Sequence, residues 1–79
     1  MKVQVFVRLK PGVLDVQGKA VENGLKSMRC ENISGVRIGK LIEFEVQGKS
    51  EPEARKQVDE LCQKLLANTI IENYEIKAA

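Results

Sequence analysis

Few side chains in this sequence could carry chemistry, and those that could are poorly equipped for it. Histidine is absent, so general base work would fall to Asp, Glu, Lys or a cysteine thiolate. Glu43 and Glu45 share one face of a strand-like segment, about 7 Å apart by strand rise. A carboxylate pair of that kind divides acid and base roles only inside a pocket, and so short a chain seldom owns one. Asp15 opens a helical pattern and reads as an N-cap. Cys30 and Cys62 are far apart in sequence, with no CxxC spacing and no His to activate either thiol. Both read as small apolar packing residues of a reduced protein. Neither GxxxxGK(S/T) nor GxGxxG occurs. These residues predict no catalysis by this chain alone, and no metal or cofactor site.

The same economy appears in the composition. The 79 residues suffice for one compact domain, taken as 1–79. A chain this short buries only about 60–65% of its unfolded surface, so pairing with another chain would stabilise it. Thirteen basic and eleven acidic residues leave a net charge of +2, and the two signs alternate along the chain. That argues against nucleic acid, which selects a concentrated basic face or, on sheets that bind RNA, paired aromatics. No apolar run nears the roughly 18 residues of a membrane span, and Met1-Lys2 leads straight into a strand-like segment with no leader. A cytoplasmic, soluble protein is expected.

The elements that must position these residues follow from periodicity. Val3, Val5, Val7 and Leu9 alternate with Gln4, Phe6, Arg8 and Lys10, which predicts a strand over 2–10 with one core face. Pro11-Gly12 stops it. A helix then includes Val16 to about Arg29, with Leu14, Gly18, Val21, Leu25 and Met28 as its stripe. Gly18 and Gly24 each cost about 1 kcal/mol there and make sense where a neighbouring backbone comes close. Residues 33–38 and 41–47 read as two strands around a Gly39-Lys40 hairpin. Ser50 caps a second helix with a Ser-x-x-Glu box, whose stripe is Ala54, Val58, Leu61 and Leu65, widened by Cys62 and Leu66. Asn68 suits a left-handed cap, and a last strand runs from Ile70 to Lys77.

The order βαββαβ predicts a ferredoxin-like α+β domain, an antiparallel sheet with both helices on one face. Phe6, Arg8, Arg37, Leu41, Glu43 and Glu45 then populate the other face, too apolar for solvent alone and too charged for a core. We expect a self-association surface there, centred on Phe6, Arg8, Leu41 and Glu43.

The most distinctive segment is Leu9-Lys10-Pro11-Gly12-Val13-Leu14-Asp15, followed by Gln17-Gly18-Lys19-Ala20. Together with Val36-Arg37-Ile38-Gly39-Lys40, Ile42-Glu43, Cys62-Gln63-Lys64-Leu65-Leu66-Ala67-Asn68 and Ile71-Glu72-Asn73-Tyr74, it resembles the PurS family over nearly the whole chain. That family is the small subunit of phosphoribosylformylglycinamidine (FGAM) synthase. Ser27-Met28-Arg29-Cys30 departs from its pattern, outside these motifs.

The resemblance implies a non-catalytic subunit of de novo purine synthesis. It would form a homo-oligomer, dimer or tetramer, and bind a glutaminase subunit and a large synthetase subunit. The complex would use ATP, Mg and glutamine, and the small subunit would help to channel ammonia. Because the family signature clusters in loops, the expected partner-contact residues are Lys10, Pro11, Gly12, Val13, Asp15, Arg37, Gly39 and Lys40. The rival reading is a ferredoxin-like domain that senses a small molecule at a dimer interface through Gly12 and Gly39.

Overall fold

The structure, a computed structural model, describes residues 1–78; Ala79, the last residue of the expected domain, lies outside the described residues. Strand β1 (Lys2–Leu9) runs antiparallel between β2 (Gly39–Glu45) and β3 (Glu72–Ala78). Its alternation sets the register: Val5 lies opposite Ile42 on one side and Ile76 on the other. Val3, Val5 and Val7 are buried to 1% exposure or less, while Phe6 and Arg8 face away from the core. Beyond β2, Met1 and Val46 exchange backbone bonds of 2.7 and 2.8 Å, which carries the pairing one step further.

Helix α2 (Glu51–Leu61) lies over this valine face. Ser50 caps it by accepting from the Glu53 N–H, as the Ser-x-x-Glu box predicts, and Pro52 occupies the first turn. The buried positions are Ala54, Val58 and Cys62, which step by four, so the core stripe rotates away from Leu61 and Leu65. Those two leucines, expected in the core, are exposed. Past Leu61 the helix widens into a π turn (Cys62–Leu66), in which the Ala67 N–H donates to the Cys62 carbonyl at 3.0 Å. The wider turn brings Leu66 and Ala67 to the core. Asn68 adopts no left-handed cap; its side chain accepts from the Ile70 N–H and its carbonyl from Ile71 and Glu72, a turn that delays β3 to Glu72.

Helix α1 (Val16–Ser27) begins at Asp15 as expected and stops before Arg29. Arg29 takes a left-handed φ of 66°, and the Cys30 N–H closes the end by donating to the Leu25 carbonyl.

Three parts of the expected architecture differ. Residues 33–38 form no strand, and Gly39-Lys40 forms no hairpin turn: Gly39 and Lys40 are the first residues of β2, opposite Arg8 and Val7. The sheet therefore has three strands, within a ferredoxin-like α+β fold. A β-branched stretch becomes a strand only beside a free edge, and the amides of Val36 and Ile38 are already taken by the side chains of Glu22 in α1 and of Asp15, its cap. Finally, among the described residues, α2 is the helix that covers the sheet. Helix α1 and its preceding loop stand off, leaving Leu14, Val16, Val21 and Met28 between 44% and 75% exposed. The chain is accordingly long, 50 × 25 × 14 Å, with a radius of gyration of 15.9 Å, against about 12 Å for a compact chain of this size.

Candidate subunit-contact edge

The loop after β1 and the segment before β2 meet at one end of the sheet. Pro11 and Gly12 make the turn, with Gly12 at φ 88°, and the Val13 N–H donates back to the Lys10 carbonyl at 3.1 Å. The Lys10 N–H donates to Ile71 at 2.8 Å, anchoring the loop to the start of β3. The Lys10 carbonyl also accepts from Arg37 Nη2 at 3.1 Å, a bond across 27 residues of sequence. Lys40 reaches toward Glu72 at 4.0 Å.

Asp15 does two jobs at this junction. One carboxylate oxygen accepts from the Gly18 N–H at 2.7 Å and caps α1; the other accepts from the Ile38 N–H at 2.6 Å. Those two amide bonds, chiefly Gly18, hold its carboxyl below the ordinary 3.8. Two turns along the same helix face, Glu22 accepts from the Val36 N–H at 3.1 Å, and its other oxygen lies 3.6 Å from Lys19 and 3.5 Å from Lys26. The Val36 amide is the main reason its carboxyl also sits below its ordinary 4.5. Both groups are ionised at neutral pH. Because their values are lowered on folding, the stabilisation they give is present above the ordinary carboxylate range and is lost as pH falls through the lowered values.

Between these carboxylates sits Gly18. A Cβ there would lie 2.5 Å from the Val36 carbonyl oxygen and 2.9 Å from the Asp15 carboxylate. The expectation that a backbone passes close to Gly18 therefore holds; at Gly24 nothing lies within 4 Å. Asp15, Gly18 and Glu22 thus form a docking strip for residues 35–38, spaced by three and four along one face of α1.

Lys10, Asp15, Arg37, Gly39 and Lys40 accordingly lie along one connected edge. Beside it, a shallow cavity of about 240 Å³ is lined by residues that include Leu9, Gln17, Ile38 and Lys40. Arg37 does not join Phe6 on the sheet face, as expected from a strand over 33–38; it belongs to this edge. Glu22 was not singled out by its sequence. Its one signal is position, seven residues past Asp15 on the helix face that also holds Gly18.

The open sheet face carries Phe6, Arg8, Leu41 and Glu43. Phe6 lies under two cations, with Lys77 Nζ 5.1 Å and Arg8 Cζ 5.6 Å from the ring centroid. Arg8 and Lys77 both approach Glu75, at 3.6 and 3.7 Å, and Glu43 accepts from Gln4 at 3.1 Å. Leu41 is 47% exposed. The pair Glu43 and Glu45 lies on this open surface, opposite Gln4 and Lys2.

Residues 2–79 match the family model described as PurS, phosphoribosylformylglycinamidine (FGAM) synthase. The chain is 49% identical over 73 residues to the Bacillus subtilis FGAM synthase subunit PurS, covering 92% of this chain and 86% of that one. It belongs to the PurS family. The structure of B. subtilis PurS superposes with a TM-score of 0.85 at 47% identity, over 96% of this chain and 94% of that one. A chain in the structure of PurLQS from Thermotoga maritima superposes with a TM-score of 0.87 at 29% identity, over 96% and 93%.

Of the two glycines a small-molecule pocket would use, Gly39 is spoken for. A Cβ there would lie 2.6 Å from the Val7 carbonyl, so pairing with β1 requires glycine. Cys62 is fully buried, and burial pushes its thiol pKa up, away from nucleophilic use. Tyr74 donates to Asp59 at 2.6 Å, a bond that raises the phenol's pKa and ties β3 to α2. Among the described residues, no group of three or more His, Cys, Asp and Glu is placed to hold a metal ion, and no helix is long and apolar enough to cross a membrane.

Proposed function

We propose that this chain, as one domain over 1–79, is the assembly subunit of FGAM synthase in purine biosynthesis. It holds a glutaminase subunit and a large synthetase subunit together in the cytoplasm and performs no chemistry itself. The complex it joins uses glutamine, ATP and Mg, and the chain helps to enclose the ammonia passed between the two active sites. Its contact edge is Lys10, Pro11, Gly12, Val13, Asp15, Arg37, Gly39 and Lys40. The observation that carries this reading is the bond from Arg37 to the Lys10 carbonyl, which joins the two signature segments into one surface. Transfer of ammonia requires seams that exclude water, and an edge fixed by its own hydrogen bonds meets a partner with little ordering cost.

Reconstitution tests the reading. Under glutamine and Mg-ADP, the tagged chain is expected to retain both the synthetase and the glutaminase. Omitting it should remove glutamine-dependent FGAM formation and leave ammonia-dependent formation by the synthetase intact. Retention of neither subunit would end this reading.

We also place self-association on the face around Phe6, Arg8, Leu41 and Glu43. The elongated shape and the exposed Leu41, which lies opposite Phe6 on that face, support a second copy of the chain as the covering partner. Phe6→Glu is a clean test, because Arg8 and Lys77 flank the position and would receive the new carboxylate without strain. The variant is expected to fold and to sediment as a smaller species than the unaltered protein. If it sediments with the unaltered protein, the surface is elsewhere.

A further inference from the structure

Residues 33–38 have no ladder and, among the described residues, make no backbone-to-backbone hydrogen bond. Yet this segment carries Arg37 and leads into Gly39 and Lys40, three of the eight residues of the proposed contact edge. Three bonds hold it: Ile38 N–H to Asp15, Val36 N–H to Glu22, and Arg37 to the Lys10 carbonyl. Asp15 belongs to the edge and caps α1, so its role is already accounted for. Glu22 is different. It is 9% exposed, lies mid-helix and plays no part in capping.

Its geometry is that of a clip. Lys19 at i−3 and Lys26 at i+4 flank one carboxylate oxygen, which orients the side chain. The other oxygen is thereby aimed at the Val36 amide. Val36 and Ile38 are two residues apart, so their amides point the same way in an extended chain. The two carboxylates of α1 receive them as the edge of a neighbouring strand would. Glu22 thus replaces one rung of the strand that this segment does not form.

We propose that Glu22 is a positioning residue for subunit contact: without touching a partner, it holds residues 35–38 so that Arg37, Gly39 and Lys40 are presented in one fixed arrangement. This rests on the contact-edge reading above. Loss of the clip leaves the segment held only through Arg37 and Ile38, and the complex must then order residues 35–36 on binding, which weakens affinity.

The test uses the full chain and both other subunits. Glu22→Ala is expected to speed amide exchange at Val36 by about tenfold, the factor that one hydrogen bond to a charged acceptor commands. Exchange at Val5 and Val7 in the sheet should stay as it is. Affinity for the other two subunits should fall by a similar factor. Glu22→Gln keeps an acceptor oxygen at the same reach, so it should restore most of both losses, which a general defect in folding would not allow. Unchanged exchange at Val36 in Glu22→Ala overturns the clip. Faster exchange with wild-type affinity overturns its role in contact. Wild-type affinity in a chain altered at both Lys10 and Arg37 overturns the contact edge itself, and positioning with it, whatever Val36 does.

Discussion

A chain carrying Lys10→Ala and Arg37→Ala together is expected to fold normally and to leave reconstituted FGAM synthase without glutamine-dependent activity. The two side chains meet at the junction of the β1–α1 loop with the segment before β2, where Arg37 is exposed and Lys10 half-buried. Truncating them removes little from the fold. The one bond lost is Arg37 to the Lys10 carbonyl, and that carbonyl still accepts from the Val13 N–H and can turn the rest of its capacity to water. Such a bond contributes about 1 kcal/mol net, so the melting temperature should drop by roughly 4–8 °C at most. Binding is another matter. Charged anchors desolvated at the centre of an interface cost about 2 kcal/mol or more each when truncated, Arg above all, and two together weaken a complex by roughly a thousandfold. Ammonia-driven activity of the synthetase should persist, since the altered groups take no part in its chemistry. Circular dichroism on the variant, with glutamine-driven and ammonia-driven assays of the mixture, separates the two effects. Full glutamine-driven activity would remove this edge from the contact.

The fold that carries these residues is legible in the sequence only in part, and the reason is physical. The alternation of β1 and the Ser50 box are local signals, and each formed where periodicity placed it. The segment 33–38 reads as a strand and forms none, because β-propensity describes a fit to a half-buried pleated surface, not a backbone preference. Whether a neighbour is available depends on tertiary structure. Here Asp15 and Glu22, 23 and 14 residues from their donor partners, take the amides that a ladder would use. The same misreading placed Arg37 on the sheet face with Phe6, and it hid Glu22, which looks on a helical wheel like any solvated acid between two lysines. The second helix shows a milder version. Three-and-four spacing allowed either Leu61 and Leu65 or Cys62 and Leu66 to face inward, and the π turn, a feature of backbone bonding with no residue signature, accompanies the second set. As for α1, an apolar stripe says that a surface will be covered; it does not say that the same chain supplies the cover.

The two glycines of α1 should respond to alanine with opposite signs. Each substitution gains the same intrinsic helix preference, up to about 1 kcal/mol. At Gly24 nothing lies within 4 Å of the added methyl, so Gly24→Ala should keep that gain and raise the melting temperature by roughly 4–8 °C. At Gly18 the methyl would sit 2.5 Å from the Val36 carbonyl oxygen, which belongs to backbone and cannot rotate away. The Asp15 carboxylate, 2.9 Å distant, blocks retreat toward the helix start, because that group is held by the Gly18 and Ile38 amides together. Relief comes only by lifting residues 35–38 from α1, which stretches the bonds from Val36 to Glu22 and from Ile38 to Asp15 at once. Overpacking of this kind costs about 1–3 kcal/mol, enough to cancel the helix gain and leave Gly18→Ala less stable than the unaltered chain. Amide exchange at Val36 and Ile38 should accelerate in that variant and stay unchanged in Gly24→Ala. Thermal melts of the pair read the sign directly. Equal stabilisation at both positions would mean that residues 35–38 do not rest on Gly18, and that the contact edge owes its shape to something other than α1.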